Sequence, residues 1–497
     1  VPQQKSPENM SHMNDNAADN IGRLAARGSV WATGSNLAGR LIAFITTMVM
    51  ARLLEPADFG LIAIGLICIG MLDAFRNLGV GEALIYRQRS GDTDSNTAFW
   101  IALGVGTLLT MLALAMAPVA ARFFGNPDAE KVIAVLSVVF VIESLMVIHA
   151  TRAQRDFQFA RRATAEMTKT IFKAVVSISL ALLGFGMWSL VAGQITGALA
   201  GAICYWIVVQ WRPAFEFDRR AAVGLLSYGS VLIALGFVAF GINRADQFMI
   251  GRHLNETQLG YYAVAFSMVD LLVANPARTI GQASYSAFSK LSGDLEKLKQ
   301  NYLDTVLFVS LLCIALGAGM FATSSNFVMS FLSAKWSAAI PVVEALSFFA
   351  ITHAVSYSAG DVLKALGRAR QLVWLSCVAL LVSVLVLWFV APEGIVQVAW
   401  TVFIIQFVSG LVMTAMTMHV LKVSAWELLN SLKPALIAGV LMVLVLRFLL
   451  PTLTESFTIP VRLIMDVIVG AIVYVGVVRI IRPDVPARIL EFVRPKK

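Results

Sequence analysis

The sequence predicts an all-α polytopic membrane protein of about 14 transmembrane helices, built as two six-helix bundles related by a direct repeat, plus two C-terminal helices. Three observations carry that expectation. The 497 residues are 58% hydrophobic and 14% charged, with a mean hydropathy of +0.77, where a soluble domain is roughly one-quarter charged. Apolar windows of about 20 residues recur along the whole chain. Finally, ARLLEPADFG at 51–60 returns as GRHLNETQLG at 251–260, and the register holds beyond it, with identities at Arg52/Arg252, Leu54/Leu254, Gly60/Gly260, Ala63/Ala263, Leu72/Leu272, Ala74/Ala274, Gly81/Gly281 and Ala83/Ala283. Hydrophobicity alone does not reproduce an ungapped Arg-to-Gly spacing.

The apolar windows place spans at 29–51, 57–77, 97–119, 132–151, 163–184, 187–210, 222–250, 257–277, 302–322, 338–360, 371–390, 394–418, 432–450 and 461–480. Pro56, Pro127, Pro392 and Pro451 are expected to punctuate short turns, making neighbouring spans antiparallel hairpins. An offset that covers six spans is a direct repeat, which relates its halves by a pseudo-two-fold axis along the membrane normal. The expected organisation is a polar leader at 1–20, bundles at 21–215 and 216–425, an added helix pair at 426–482 that packs on the rim or binds a lipid tail, and a basic tail at 483–497. The leader has no apolar run, so no cleavable signal is expected and the first hydrophobic helix directs insertion. The connections near 78–96 and 281–301 carry ALIYRQ and YSAFSKL, which read as short interfacial helices.

Most of the 39 Lys and Arg fall on the side of the N-terminus, including Arg152/Arg155/Arg161/Arg162, Arg212/Arg219/Arg220, Lys364/Arg368/Arg370 and the tail. Basic residues accumulate in cytoplasmic loops, so both termini are expected in the cytoplasm. The net charge of +9 is then a topology signal and calls for no nucleic-acid partner. Cys68, Cys204, Cys313 and Cys377 each lie in an apolar run and read as small core residues; the histidines show no paired metal spacing, and no phosphate-binding Gly-rich loop occurs. No metal and no cofactor are expected.

Ionised side chains at mid-bilayer cost at least about 2.5–3.5 kcal/mol, so they mark partners or water-filled cavities. Ser29, Thr33, Asn36, Arg40 and Thr47 keep to one face of the first span at 100° per residue, with no acid beside Arg40. In the fifth span Arg162, Glu166, Lys169, Lys173 and Ser177 share a face; Glu166 is expected to pair with Lys169 or Thr170, Lys169 to snorkel to the surface, and Lys173 to lie deeper. In the seventh, Asn243, Arg244, Asp246 and Gln247 concentrate polarity, and two readings stand: an interhelical ion pair, or ion and substrate handling with Asp246 as a protonation site. Glu143, Asp270, Glu344, Asp361 and Asp466 are further acids in or near spans, the first three being coupling-ion candidates with Asp246. Gly193, Gly197 and Gly201 form a small-residue ladder for close helix packing. Bases with few acids to cancel them suit an anionic cargo, and a phosphate or diphosphate is the natural candidate.

ARLLEPADFGLIAI followed by LGVGEALIYR resembles the N-terminal signature of Wzx-type polysaccharide transporters of the multidrug/oligosaccharidyl-lipid/polysaccharide superfamily, and NRADQFMIGRHLNETQLGYYAVAF with PARTIGQASYSAFSKL is similar to that family's second half. The resemblance spans roughly 25–420. It implies a monomeric flippase in a bacterial inner membrane that moves an undecaprenyl-diphosphate-linked oligosaccharide to the periplasmic leaflet by alternating access, for exopolysaccharide, capsule or O-antigen export. A polysaccharide polymerase and co-polymerase are then expected partners, besides membrane lipid. Arg40, Lys173 and Arg244 map onto the family's cationic lumen, with Asn36 and Lys169 beside them; the departure is the company of Asp246 and Glu166. Three alternatives share parts of this pattern. A lipid II flippase differs in cargo, a cation-coupled drug exporter would end near 420 with a more acidic lumen, and a membrane glycan polymerase or ligase would need a sizeable external loop.

Overall fold

The computed structural model describes residues 34–76, 84, 92–454 and 456–484, and these are helical with no strand among them. The leader 1–20, Ser29 and Thr33 of the first stripe, all of ALIYRQ except Leu84, and the tail beyond 484 lie outside the described residues. Eleven helices among the described residues are long and apolar enough to cross a membrane. In chain order the helices are α1 (Gly34–Leu53), α2 (Pro56–Arg76), α3 (Asp92–Phe124), α4 (Asp128–Arg155), α5 (Phe159–Leu182), α6 (Met187–Val208), α7 (Arg219–His253) and α8 (Glu256–Val269). They continue with α9 (Asn275–Leu291), α10 (Leu295–Phe331), α11 (Ala334–Ala365), α12 (Ala369–Val390), α13 (Ile395–Leu421), α14 (Ala425–Leu444) and α15 (Ile459–Ile481). Helix α5 is not among the eleven, since it carries Glu166, Lys169 and Lys173 within its apolar length.

Local chemistry sets the helix ends. Asn255 and Asp294 cap α8 and α10 by accepting from the backbone N–H of Gln258 and Lys297, and Ser424 with Glu427 forms a full capping box on α14. Pro451 departs from the expected turn. It sits inside the helical segment Leu450–Thr454, which the π-helical turn Val445–Leu449 joins to α14. A proline fits there because it opens a new helical segment, where its missing N–H costs little.

The chain divides into two compact units. The first comprises Val1–Met50, Cys68–Arg122 and Asn126–Phe237; the second comprises Ala51–Ile67, Phe123–Gly125 and Val238–Lys497. In the first unit α5 and α6 form a close hairpin over the glycine ladder: a Cβ on Gly197 would lie 2.8 Å from Lys173 Cβ and one on Gly201 3.1 Å from Lys169 Cβ. Residues 209–218 are tied to the start of α3, where Trp100 Nε1 donates to the Ala214 carbonyl, Asn96 accepts from the Ala214 N–H, and Trp100 stacks on Phe215 at 4.9 Å. His149 is fully buried among aromatic rings, 4.9 Å from Trp206 and 5.1 Å from Trp211.

The second unit shows what the repeated motif does. The starts of α2 and α8 cross at their glycines, so that a Cβ on Gly60 would overlap the Glu256 carbonyl and one on Gly260 the Pro56 carbonyl. This contact is reciprocal at the 200-residue offset. The arginines follow the same logic: Arg52 donates to the carbonyls of Ser330 and Phe331 at the end of α10, and Arg252 lies 5.2 Å over the ring of Phe123 at the end of α3. Trp336 closes the crossing, donating Nε1–H to the Ala51 carbonyl at 2.7 Å and meeting Phe59 and Tyr261 edge-on.

The C-terminal pair packs on α10 through Leu307, Ala438, Met442, Leu446 and Tyr474. Its polar ties give partners to three acids. Asp466 accepts from Asn326 at 2.7 Å, Glu427 pairs with Lys299 at 2.8 Å, and Glu344 accepts from both Arg447 (2.6 Å) and Ser324 (3.0 Å). The Arg447 guanidinium also covers the Phe321 ring at 4.7 Å. A double-mutant cycle of Arg447→Met and Glu344→Gln is expected to give a coupling of about 1 kcal/mol in thermal unfolding, as a half-exposed pair contributes modestly; a coupling of zero would mean that the pair does not hold the added helices. An apolar cavity of about 240 Å³ lies between α10, α11 and α14, lined by Ile314, Phe321, Phe348, Ile351, Leu436 and Val440.

Candidate functional site

In the first unit four cations stand on α1, α2 and α5: Arg40, Arg76, Lys169 and Lys173. Lys169 and Lys173 lie one turn apart on α5, and the absence of side chains at Gly197 and Gly201 lets their stems lie against α6. On α1, Gly39 faces the same helix, with Met167 Sδ and Thr170 Oγ1 each 3.9 Å from where its Cβ would be, and Arg40 follows it. Arg76 ends α2.

Their partners differ sharply. Asp73, Arg76, Glu143 and Lys169 form an alternating chain: Arg76 Nε donates to Asp73 Oδ1 at 2.6 Å, Arg76 Nη1 to Glu143 Oε2 at 2.7 Å, and Lys169 Nζ to Glu143 Oε1 at 2.8 Å. Two bases and two acids cancel. Lys173 and Arg40 have no hydrogen-bond or ion-pair partner among the described residues, and both side chains are half-buried. The cluster therefore carries its excess positive charge on these two residues. Asn36, one turn before Arg40, is exposed.

Two expectations for α5 change. Glu166 takes neither Lys169 nor the Thr170 hydroxyl; it accepts from Tyr205 Oη on α6 at 2.9 Å, while Thr170 Oγ1 bonds the backbone carbonyl of Glu166. Lys169 does not snorkel, because the Glu143 carboxylate on α4 is within its reach. Arg76 was not singled out from sequence; at the end of a predicted span it reads as one more boundary charge, and its role depends on which faces of α2 and α4 meet.

In the second unit, Asp246 is 3% exposed and borders a cavity of about 220 Å³ with Thr352, Ser356, Ser376, Gln406 and Ser409. Its Oδ2 accepts from Tyr262 Oη at 2.6 Å and its Oδ1 from the Gln247 N–H at 2.8 Å. Of the two readings of the seventh span, the interhelical ion pair is not formed among the described residues. Arg244 is exposed and donates to Gln247 Oε1 on its own helix at 2.9 Å. Of the other coupling-ion candidates, Asp270 opens the π-helical turn Asp270–Ala274, Glu143 is held between two bases, and Glu344 is bound to Arg447. Asp361 pairs with Lys364 at 3.0 Å, one turn along α11. The four cysteines are free, and no group of three metal-ligating side chains occurs among the described residues.

Residues 49–341 match the family model described as "Polysaccharide biosynthesis protein". The chain is 26% identical to the teichuronic acid biosynthesis protein TuaB of Bacillus subtilis (strain 168), over 83% of this chain and 86% of that protein. It is 22% identical to the succinoglycan biosynthesis transport protein ExoT of Rhizobium meliloti (strain 1021), over 96% and 97%. Among solved structures, the lipid II flippase MurJ in an inward closed conformation shares the fold with a TM-score of 0.76 at 12% identity, covering 92% of this chain and 99% of that one. An inward-facing multidrug transporter of the same superfamily follows at 0.63 and 14%, covering 78% and 96%. Since the family model covers more than half of the 497 residues, this multi-pass membrane protein belongs to the polysaccharide biosynthesis protein family.

Proposed function

We propose that this protein is a flippase for an undecaprenyl-diphosphate-linked oligosaccharide, carrying it from the cytoplasmic to the periplasmic leaflet of a bacterial inner membrane by alternating access. The observation that carries this reading is that Arg40 and Lys173 have no counter-ion among the described residues, whereas Arg76 and Lys169 are neutralised by Asp73 and Glu143. A diphosphate supplies the missing negative charge, and charge-assisted hydrogen bonds from Arg and Lys are stronger in a low-dielectric site than in water. Arg244, exposed and without an acidic partner, is a further anion contact in this proposal, as are Asn36 and Lys169.

Asp246 is the coupling group in this reading: a carboxylate bordering a hydroxyl-lined cavity and held by a tyrosine is suited to exchange a proton or a small cation. Asp270, Glu143 and Glu344 come after it as coupling sites. Movement of an anion toward a positive exterior is itself favoured by about 2.3 kcal/mol per charge per 100 mV. In this reading both termini are cytoplasmic, in keeping with the excess of basic residues in the loops on that side, and polysaccharide polymerase and co-polymerase are the expected partners on the other side.

The test is transbilayer movement of a fluorescent polyprenyl-diphosphate oligosaccharide in proteoliposomes. Wild type is expected to equilibrate the leaflets, and Arg40→Ala to slow this by at least about tenfold with normal insertion, the loss of one charge-assisted contact. Asp246→Asn is expected to remove any acceleration by an imposed ion gradient. Failure of wild type to move the probe, with or without a gradient, would sink the flippase reading.

A further inference from the structure

Resting on that reading, we infer that Glu143 is a displaceable counter-ion for Lys169, which competes with the anionic end of the cargo and thereby sets its release. The geometry has three parts. Glu143 divides its two oxygens, Oε1 to Lys169 at 2.8 Å and Oε2 to Arg76 at 2.7 Å. Arg76 has a second acid, Asp73, at 2.6 Å, whereas Glu143 is the one acid paired with Lys169 among the described residues. Lys169 is also the more accessible end of the contact, with its side chain 31% exposed against 16% for Glu143.

These facts determine which bond can open. If Lys169 leaves, Glu143 keeps Arg76 and no buried carboxylate is stranded, so the main penalty of breaking a buried pair is avoided. If Arg76 left instead, Glu143 would keep Lys169 but two acids would share fewer donors. Lys169 and Lys173 are separated by about 6 Å along α5 and their stems lie on the same glycine ladder. An anion seated on Lys173 therefore has a second amine one turn away, and a diphosphate has a second phosphoryl group to offer it. Binding exchanges the carboxylate contact of Lys169 for a phosphate contact, and release exchanges it back. Glu143 thus weakens binding of the anion, which an importer of tight cargo would not tolerate and a transporter that must let go requires.

The experiment is binding of farnesyl diphosphate to the purified full-length protein in detergent, comparing wild type, Glu143→Gln, Lys173→Ala, Lys169→Met and the double variant Glu143→Gln/Lys169→Met. Glu143→Gln is expected to bind about tenfold tighter, the size of one charge-assisted hydrogen bond, and to slow transbilayer movement. The gain must vanish when Lys169 is absent, so Lys169→Met and the double variant bind alike. Unchanged or weaker binding by Glu143→Gln, or a gain that persists without Lys169, overturns the counter-ion role. Binding that Lys173→Ala weakens while Glu143→Gln leaves it unaltered keeps the function and removes this inference alone; no binding by wild type overturns both.

Discussion

Lys173→Ala is expected to cut transport of the lipid-linked oligosaccharide by roughly 30-fold to several thousand-fold while the protein still inserts and accumulates. Lys173 has no acidic partner among the described residues, and the other three bases differ in what they can give up. Arg76 is committed to two acids and Lys169 to one, while Arg40 is equally free but is delivered from a different helix. Removing a buried cation that holds an anion costs about 2–5 kcal/mol, which is the expected range in rate. Accumulation should be preserved, because Lys173 has no ion pair to lose and its stem only lies against Gly197. Lys169→Ala should cost less, because its contact with Glu143 is given up in the same substitution. Transport by Lys173→Ala at the wild-type rate would show that the amine merely extends toward water, and would move the anion site to Arg40 and Arg244.

Much of this site could be read from sequence because helical periodicity is a local property. Lys169, Lys173 and Ser177 recur at four-residue spacing, so their common face follows from 100° per residue alone, and the glycines at 193, 197 and 201 place close packing on the next helix by the same arithmetic. Periodicity says nothing about which face of one helix meets which face of another. That is why the sequence does not single out Arg76, does not tell which base Glu143 or Glu344 holds, and does not show that Asp246 is held by Tyr262, 16 residues away on α8. Tyrosine is the blind spot in both units: in an apolar run it looks like another core aromatic, and its hydroxyl becomes informative only beside a carboxylate, as with Tyr205 and Glu166. The repeat was legible as an identity of letters, and its meaning as a crossing of two glycines was not.

That crossing carries the second large effect. Gly60→Val and Gly260→Val, 200 residues apart, should each abolish stable accumulation, and to the same extent. At both positions the obstructing atom is a backbone carbonyl, of Glu256 in one case and Pro56 in the other. A flexible side chain can swing aside for a new methyl group, and such overpacking usually costs about 1–3 kcal/mol. A carbonyl within a helix can move only with its helix, so the two helix starts must separate. Separation would also pull Trp336 from the Ala51 carbonyl and from the rings of Phe59 and Tyr261, which close the same crossing. A suitable control is Gly104→Ala in α3, where nothing lies within 4 Å of the added carbon, and which should be neutral or slightly stabilising through helix propensity. Thermal unfolding of fluorescent fusions in detergent gives the comparison directly. If the two repeat glycines behave unequally, with one tolerant of valine, then the reciprocal contact is not a rigid element, and the shared Arg-to-Gly spacing needs a different explanation from the packing of one copy on the other.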